Sequence, residues 1–333
     1  MKRRLLVLSL IACTVGVNAT AQQDRAMTHF MYEKMSVNPG ATGTNFLDGF
    51  CGTSIYRNQW DKVNGAPNSV VLNVEGNIDR YMTNTGVGIA FYHDAIAYTR
   101  QNTAVINFAH HFQLGNIGQL GVGVGIGITS LGMNPEWVPP TSNPDNSLPE
   151  AFSQTKFDAN FGLYFKANAG YYIGLSSTHI PGPTFDDATS TAPTGLNSAR
   201  HYYLMGGHTI RNVSQPGDDL EMNLFVRSDL VKTSFDLNAR YFWQNKLYGG
   251  LTYRMSDAIG IMAGANVSEL LDWSGTDLST RAARPAQFTV GYSYDVSVNK
   301  LSSISTGSHE MFVKYCYFLP PIPISKSKHP RWL

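Results

Sequence analysis

The chain has 333 residues and a net charge of +1, with 25 Lys and Arg against 24 Asp and Glu, so no global field marks it as a nucleic-acid binder. Charged residues are 15% and aromatics 12%, sparse in charge for a soluble protein. A mean hydropathy of −0.17 is too polar for a bundle of membrane helices.

Lys2, Arg3 and Arg4 precede an apolar stretch over 5–17 and the small-residue site Ala19-Thr20-Ala21. This predicts a signal peptide over 1–21 and a mature chain outside the cytoplasm. Leu10-Ile11-Ala12-Cys13 offers a rival, a lipoprotein box that would acylate Cys13, but the apolar stretch runs on past that cysteine. No later stretch approaches the ~20 apolar residues of a spanning helix. Residues 22–48 are too irregular for a membrane strand, and Asn38-Pro39-Gly40 marks a turn. This segment either plugs a lumen from the periplasmic side or lies across a partner, with Asn38 and Pro39 as candidate contacts.

From residue 49 the pattern changes to strict alternation. Leu120, Val122, Val124, Ile126 and Ile128 are separated by glycines. Phe157, Ala159, Phe161, Leu163 and Phe165 alternate with Asp158, Asn160, Gly162, Tyr164 and Lys166. Period two means strand, and segments of about ten residues suit a tilted membrane strand. The even residues of the glycine stretch would face lipid. The glycines would face a lumen where another backbone or side chain comes close. They repeat every second residue, which is no dinucleotide fingerprint. A soluble sandwich would have shorter strands and a charged outer face. Fourteen segments follow: 49–58, 68–75, 86–92, 102–112, 118–129, 156–166, 169–178, 200–210, 220–230, 234–243, 246–255, 258–266, 285–295 and 308–318. The expected fold is an all-β, antiparallel transmembrane outer-membrane β-barrel of about 14 strands (12–16), over 49–318.

An even count puts both termini on one side, read as periplasmic, in the outer membrane of a Gram-negative bacterium. The long connections 130–155 and 179–199 then face out, while 167–168 and 244–245 are tight periplasmic turns. The exception is 267–284, either an insertion or a missed strand pair. After Trp60, Asn64-Gly65 and Pro67 mark a turn, or a partner site.

The polar face carries Arg57, Asp158, Lys166, Glu221, Arg227, Asp236, Arg240, Arg254, Asp295, Glu310 and Lys314. A selective pore would be of one sign. Mixed signs are expected to form pairs that cross the lumen and hold it shut. Cys51 and Cys316 fall on the first and last strands, which pair in a closed barrel. The compartment permits a disulfide, but the register is open, so a bond and two free thiols both stand. His110 and His111 point to opposite faces, as do His201 and His208. No cluster has zinc spacing and no G-x-S-x-G occurs, so neither metal, cofactor nor catalytic residue is expected. The tail 319–333 leaves the sheet through Pro320, Pro321 and Pro323, then carries Lys326, Lys328, Arg331 and Trp332. It is either a disordered end or a basic docking peptide.

Several blocks resemble the PorP/SprF family of the type IX secretion system. They are Phe30-Met31 with Asn38-Pro39 and Gly43; Tyr56-Arg57-Asn58-Gln59-Trp60 with Gly65-Ala66-Pro67; His201-Tyr202-Tyr203; Tyr253-Arg254 with Asp257-Ala258; and Gly307-Ser308-His309-Glu310. Ala41 departs from the aromatic residue usual in that family, and 267–284 and the tail fit less well. The resemblance implies a non-enzymatic outer-membrane component in contact with lipid. It would work with a periplasmic ring of the PorK/GldK lipoprotein and its PorN/GldN partner, and support protein export or surface attachment of adhesins. The alternative is a passive channel or hydrophobic-solute porin.

Overall fold

The computed structural model describes residues 24–44, 49–79, 81–136, 151–185, 196–271 and 286–319. Fourteen strands close into an antiparallel barrel. In chain order these are β1 (Gly49–Asn58), β2 (Asn68–Asn77), β3 (Thr85–Ile96), β4 (Thr99–Gln113), β5 (Gly118–Met133), β6 (Phe152–Ala167) and β7 (Tyr171–Thr178). A two-stranded ribbon, β8 (Thr184–Phe185) with β9 (Leu196–Asn197), stands apart from the barrel. The wall resumes with β10 (His201–Ile210), β11 (Asp219–Ser228), β12 (Thr233–Trp243), β13 (Leu247–Arg254), β14 (Ala258–Asn266), β15 (Ala286–Ser297) and β16 (Ser308–Phe318). Each barrel strand pairs with its neighbours along the chain, and β1 pairs with β16. Closure leaves no strand of the wall without a neighbour on both sides, as a membrane barrel requires. β14 pairs directly with β15, so among the described residues no wall strand stands between them, and 272–284 lie outside the described residues. The long 267–284 connection begins with one helical turn, Val267–Leu270.

Alternation sorts the two faces. Ile126 is 58% exposed and Ile106 is 65% exposed, while Val105 and Ala109 on the opposite face are buried. The exposed face is apolar because it meets lipid, not water. Aromatic residues ring it at both ends. Phe50, Phe112, Tyr171, Trp243 and Tyr317 lie near the end where the chain enters and leaves the sheet, here the closing end. Tyr56, Tyr202 and Tyr253 lie toward the opposite, loop end. The wall is uneven in height. β6 pairs with β5 along its full length but with β7 only over 161–166.

The seam between β1 and β16 places Cys51 opposite Cys316, and the two form a disulfide.

Candidate functional site

The interior of the barrel is occupied by the chain's own residues 24–44. Three single turns shape this segment: Phe30–Tyr32, Lys34–Val37 and Pro39–Ala41. None is long enough to satisfy its own backbone, so the buried amides must find partners elsewhere. Thr28 N donates to Glu310 Oε2 (2.8 Å) and His29 N to Glu310 Oε1 (2.6 Å). Gly43 N donates to Glu75 Oε2 (2.9 Å). Asn38 turns the chain: its Oδ1 accepts from Gly40 N (2.9 Å), and its Nδ2 donates to the wall carbonyl of Leu163 (3.0 Å).

The segment runs the height of the barrel. Asp24 N donates to His201 Nε2 (3.1 Å), and Tyr203 Oη donates to Asp24 Oδ2 (2.5 Å). His201 opens β10 at the loop end. Twenty residues on, Lys166 Nζ donates to Thr44 O (3.2 Å) near the closing end. So the first described residue and the end of β16 lie at opposite ends of the barrel. The expectation that both termini emerge on one side concerns residues before 24 and after 319, which lie outside the described residues; strand parity constrains only the ends of the sheet.

Glycines on the wall make room for this path. A Cβ on Gly40 would lie 2.8 Å from the carbonyl oxygens of both Gly121 and Gly162. One on Gly123 would fall on the backbone of Pro39 and Gly40, one on Gly162 on Asn38, and one on Gly86 on Thr42. The bare face of β5 is therefore the seat of the Asn38–Thr42 turn. Higher up, Phe30 stacks on Phe225 with ring centroids 5.1 Å apart, and Tyr32 on Phe312 at 4.1 Å. Lys34 Nζ sits 3.6 Å from the Tyr172 ring centroid.

A charged clamp closes around Thr28 and His29 near the loop end. Arg57 Nη2 is 2.7 Å from Asp295 Oδ2, and its Nη1 is 3.0 Å from Glu310 Oε2. Arg254 lies 3.2 Å from Asp236 and 3.5 Å from Asp295, and Arg227 lies 3.3 Å from Asp236. Thr28 Oγ1 donates to Asp295 Oδ2 (2.6 Å) and accepts from Arg57 Nη1 (2.8 Å). Arg240 pairs with Glu221. Asp158 Oδ2 lies 2.7 Å from His179 Nδ1. Lys314 Nζ stands 5.8 Å from the Tyr32 ring centroid.

These pairs do not cross the lumen, contrary to the sequence expectation. Arg57 with Glu310, Asp236 with Arg254 and Glu221 with Arg240 are register partners on adjacent strands. They run along the wall because the inserted segment fills the centre. Asn38 and Pro39 are buried and spend their contacts on the wall, so in this state neither is surface for a partner. Lys326, Lys328, Arg331 and Trp332 lie outside the described residues. Alternation did not reveal Asp24, Thr28, His29 or Glu33 as lumen residues, because their segment has no period. The glycine run on β5 was the available signal that something packs there.

The inserted segment is not one of the membrane-crossing strands, and its buried charges are perturbed. Burial pushes the Glu33 carboxyl up to about 8, with Arg25 opposing and Glu310 adding. Burial also pulls the Lys34 ammonium down to about 7, with Glu221 opposing. Asp24 shows the reverse balance: burial raises it, but Arg25, His201, His179 and the Tyr203 hydroxyl together hold it below the usual carboxylate range. Among the described residues no group of three His, Cys, Asp or Glu could hold a metal ion.

The barrel is similar to the CymD monoaromatic hydrocarbon channel, with 10% identity, 87% of this chain and 93% of that chain covered, and a TM-score of 0.47. It is also similar to the Pseudomonas putida toluene transporter TodX, with 10% identity, 84% and 92% covered, and a TM-score of 0.45. A Pseudomonas aeruginosa FadL homologue gives 10%, 81% and 88%, with a TM-score of 0.41. No curated protein matches the chain. A family model described as "Type IX secretion system membrane protein PorP/SprF" matches residues 19–315, nearly the whole chain, and the chain therefore belongs to the PorP/SprF family of type IX secretion system outer-membrane proteins.

Proposed function

We propose that this protein is a closed, non-enzymatic barrel that docks periplasmic ring proteins of the PorK/GldK and PorN/GldN type to the outer membrane and supports export or surface attachment of adhesins through that contact. The observation that carries the reading is the occupied lumen: residues 24–44 fill the space a solute channel would need. Their bonds to Glu310, Asp295 and His201 hold them at many points. In this reading the barrel offers no passage, and its ends are the surfaces left for work. The closing end is the docking end in this reading, because Leu319 leaves β16 there and the basic tail follows. Lys326, Lys328 and Arg331 would steer the encounter, and Trp332 would supply a buried anchor.

Removing residues 325–333 tests this. The truncated chain is expected to form a heat-modifiable barrel in the outer membrane, while its recovery with ring proteins in mild detergent falls at least several-fold. Unchanged recovery of the same partners would move the contact away from the tail.

A further inference from the structure

The outer face of the wall carries a feature that neither the plug nor the tail uses. On β1 to β4 the outward residues change character toward the loop end. Val74, Ile89 and Ile106 form one register row, and Leu72, Phe91 and Ala104 form the next. His93 and Asn102 follow, with His93 Nδ1 2.7 Å from Asn102 Oδ1. Beyond them come Asn58, Asn68, Ala95 and Arg100. The row of His93 and Asn102 mixes them with Tyr56 and Val70, so the apolar band gives way over this row, and the Asn68–Arg100 row beyond it is where lipid headgroups are expected.

At that level the connection 59–67 overhangs a polar hollow of about 270 Å³. The connection is held in place on three sides. Gln59 N donates to Pro67 O (2.9 Å), Ala97 N to Gly65 O (2.9 Å), Asp61 N to Gly307 O (2.7 Å) and Trp60 N to Ser308 Oγ (3.0 Å). Trp60 (φ 53°), Lys62 (φ 69°) and Ala97 (φ 49°) are non-glycine residues in the left-handed region, a conformation kept only where surrounding contacts impose it.

Several donors line this hollow unclaimed. Arg100 Nη1 donates to Ala97 O (2.7 Å) and Thr99 O (2.9 Å), which fixes the guanidinium. Its Nε and Nη2 have no acceptor among the described residues, nor does Lys62 Nζ. Asn58 and Asn64 add carboxamides. The one acid, Asp61, accepts from Thr306 Oγ1 (2.9 Å), so two cations face one anion.

We propose that this hollow binds the phosphate of a lipid headgroup, with Arg100 and Lys62 as its charge partners and the asparagines as hydrogen-bond donors. A fixed guanidinium and an exposed ammonium together suit a phosphate, and the position at the edge of the apolar band suits a lipid.

The test uses the full chain purified in detergent. Native mass spectrometry would follow binding of lipid A and of phosphatidylglycerol, and calorimetry would follow inorganic phosphate. Wild type should retain at least one of the lipids. Lys62→Gln with Arg100→Gln should lower that affinity at least ten-fold while heat-modifiable mobility is unchanged, and Lys232→Gln, at the same end of the barrel, should have no effect. Should the double variant fail to fold, Lys62→Gln alone, at an exposed side chain, should still lower affinity several-fold. Inorganic phosphate binding with the same side-chain dependence, and no lipid retained, would keep the phosphate site but assign it to a free ion and overturn the lipid source. Equal lipid binding by wild type and the variants, or no binding of any probe by wild type, would overturn the site.

Discussion

Gly123 and Gly132 lie on the same strand, and their difference tests the packing directly. A Cβ on Gly123 has no room against Pro39 and Gly40, whereas the nearest atom to one on Gly132 is 3.7 Å away. Gly123→Ala should loosen the inserted segment by about 1–3 kcal/mol, read as faster hydrogen exchange at residues 36–42, and Gly132→Ala should leave exchange unchanged. The glycine alternation made a close approach legible in the sequence. It could not say what approaches, because the partner lies some eighty residues earlier in a stretch without period. Glu33 gives a second residue-scale test. Its carboxyl titrates near 4.5 when free and at about 8 when docked, so between those values the docked segment binds the extra proton. Docking is therefore strongest below about 4.5 and weakens as pH rises through about 8. Lys34 acts only above about 7, where its docked form loses a proton that the free form keeps; His111 and His201 also touch the segment, so the Glu33→Gln comparison is what separates the Glu33 contribution from theirs. A spin label at Ala26 should become more mobile from pH 5 to 7, and Glu33→Gln should remove that change. A wild-type label insensitive to pH would contradict the assignment.

All fourteen wall strands were legible as elements. β1, β14 and β16 span 49–58, 258–266 and 308–318, the ranges that alternation marks out. The reason is physical: each strand has lipid on one side and packed interior on the other, so a period of two is written into nearly every residue. Legibility fades where that contrast ends. β6 begins at Phe152, before the marked segment, because Gln154 and Lys156 stand in a part of the wall that rises beyond the apolar band. The two-residue strands β8 and β9 are too short for any period to show. The β1–β16 seam was legible as a pairing but not as a register, and the register is what places Cys51 against Cys316. Nine further register pairs hold that seam besides the bonded one, Arg57 with Glu310 among them. Reduction, or Cys51→Ser with Cys316→Ser, should therefore leave a closed barrel but remove about 2–4 kcal/mol. The expected reading is a lower temperature for the heat-induced mobility shift, alongside a Cys51–Cys316 linked peptide in unreduced digests. A transition temperature insensitive to reductant would show that the bond contributes nothing to closure.

At the scale of the whole molecule, a sheet with both ends at one rim encloses a segment that begins at the other. Counting strands could not reveal this, since parity says nothing of a stretch outside the sheet. The consequence is a barrel whose interior is its own chain, fixed by the Glu310 clamp near the loop end and by the Asn38–Thr42 turn against the glycines below. Mixed interior charge, read from sequence as a sign of closure, has its place in that arrangement as a wall-bound ring around the insert. The most direct measurement is planar-bilayer conductance of the full chain beside one lacking residues 24–43. The account predicts silence from the full chain and steady conductance from the deletion, provided the deletion keeps its heat-modifiable mobility. A steady open pore from the full chain would contradict it.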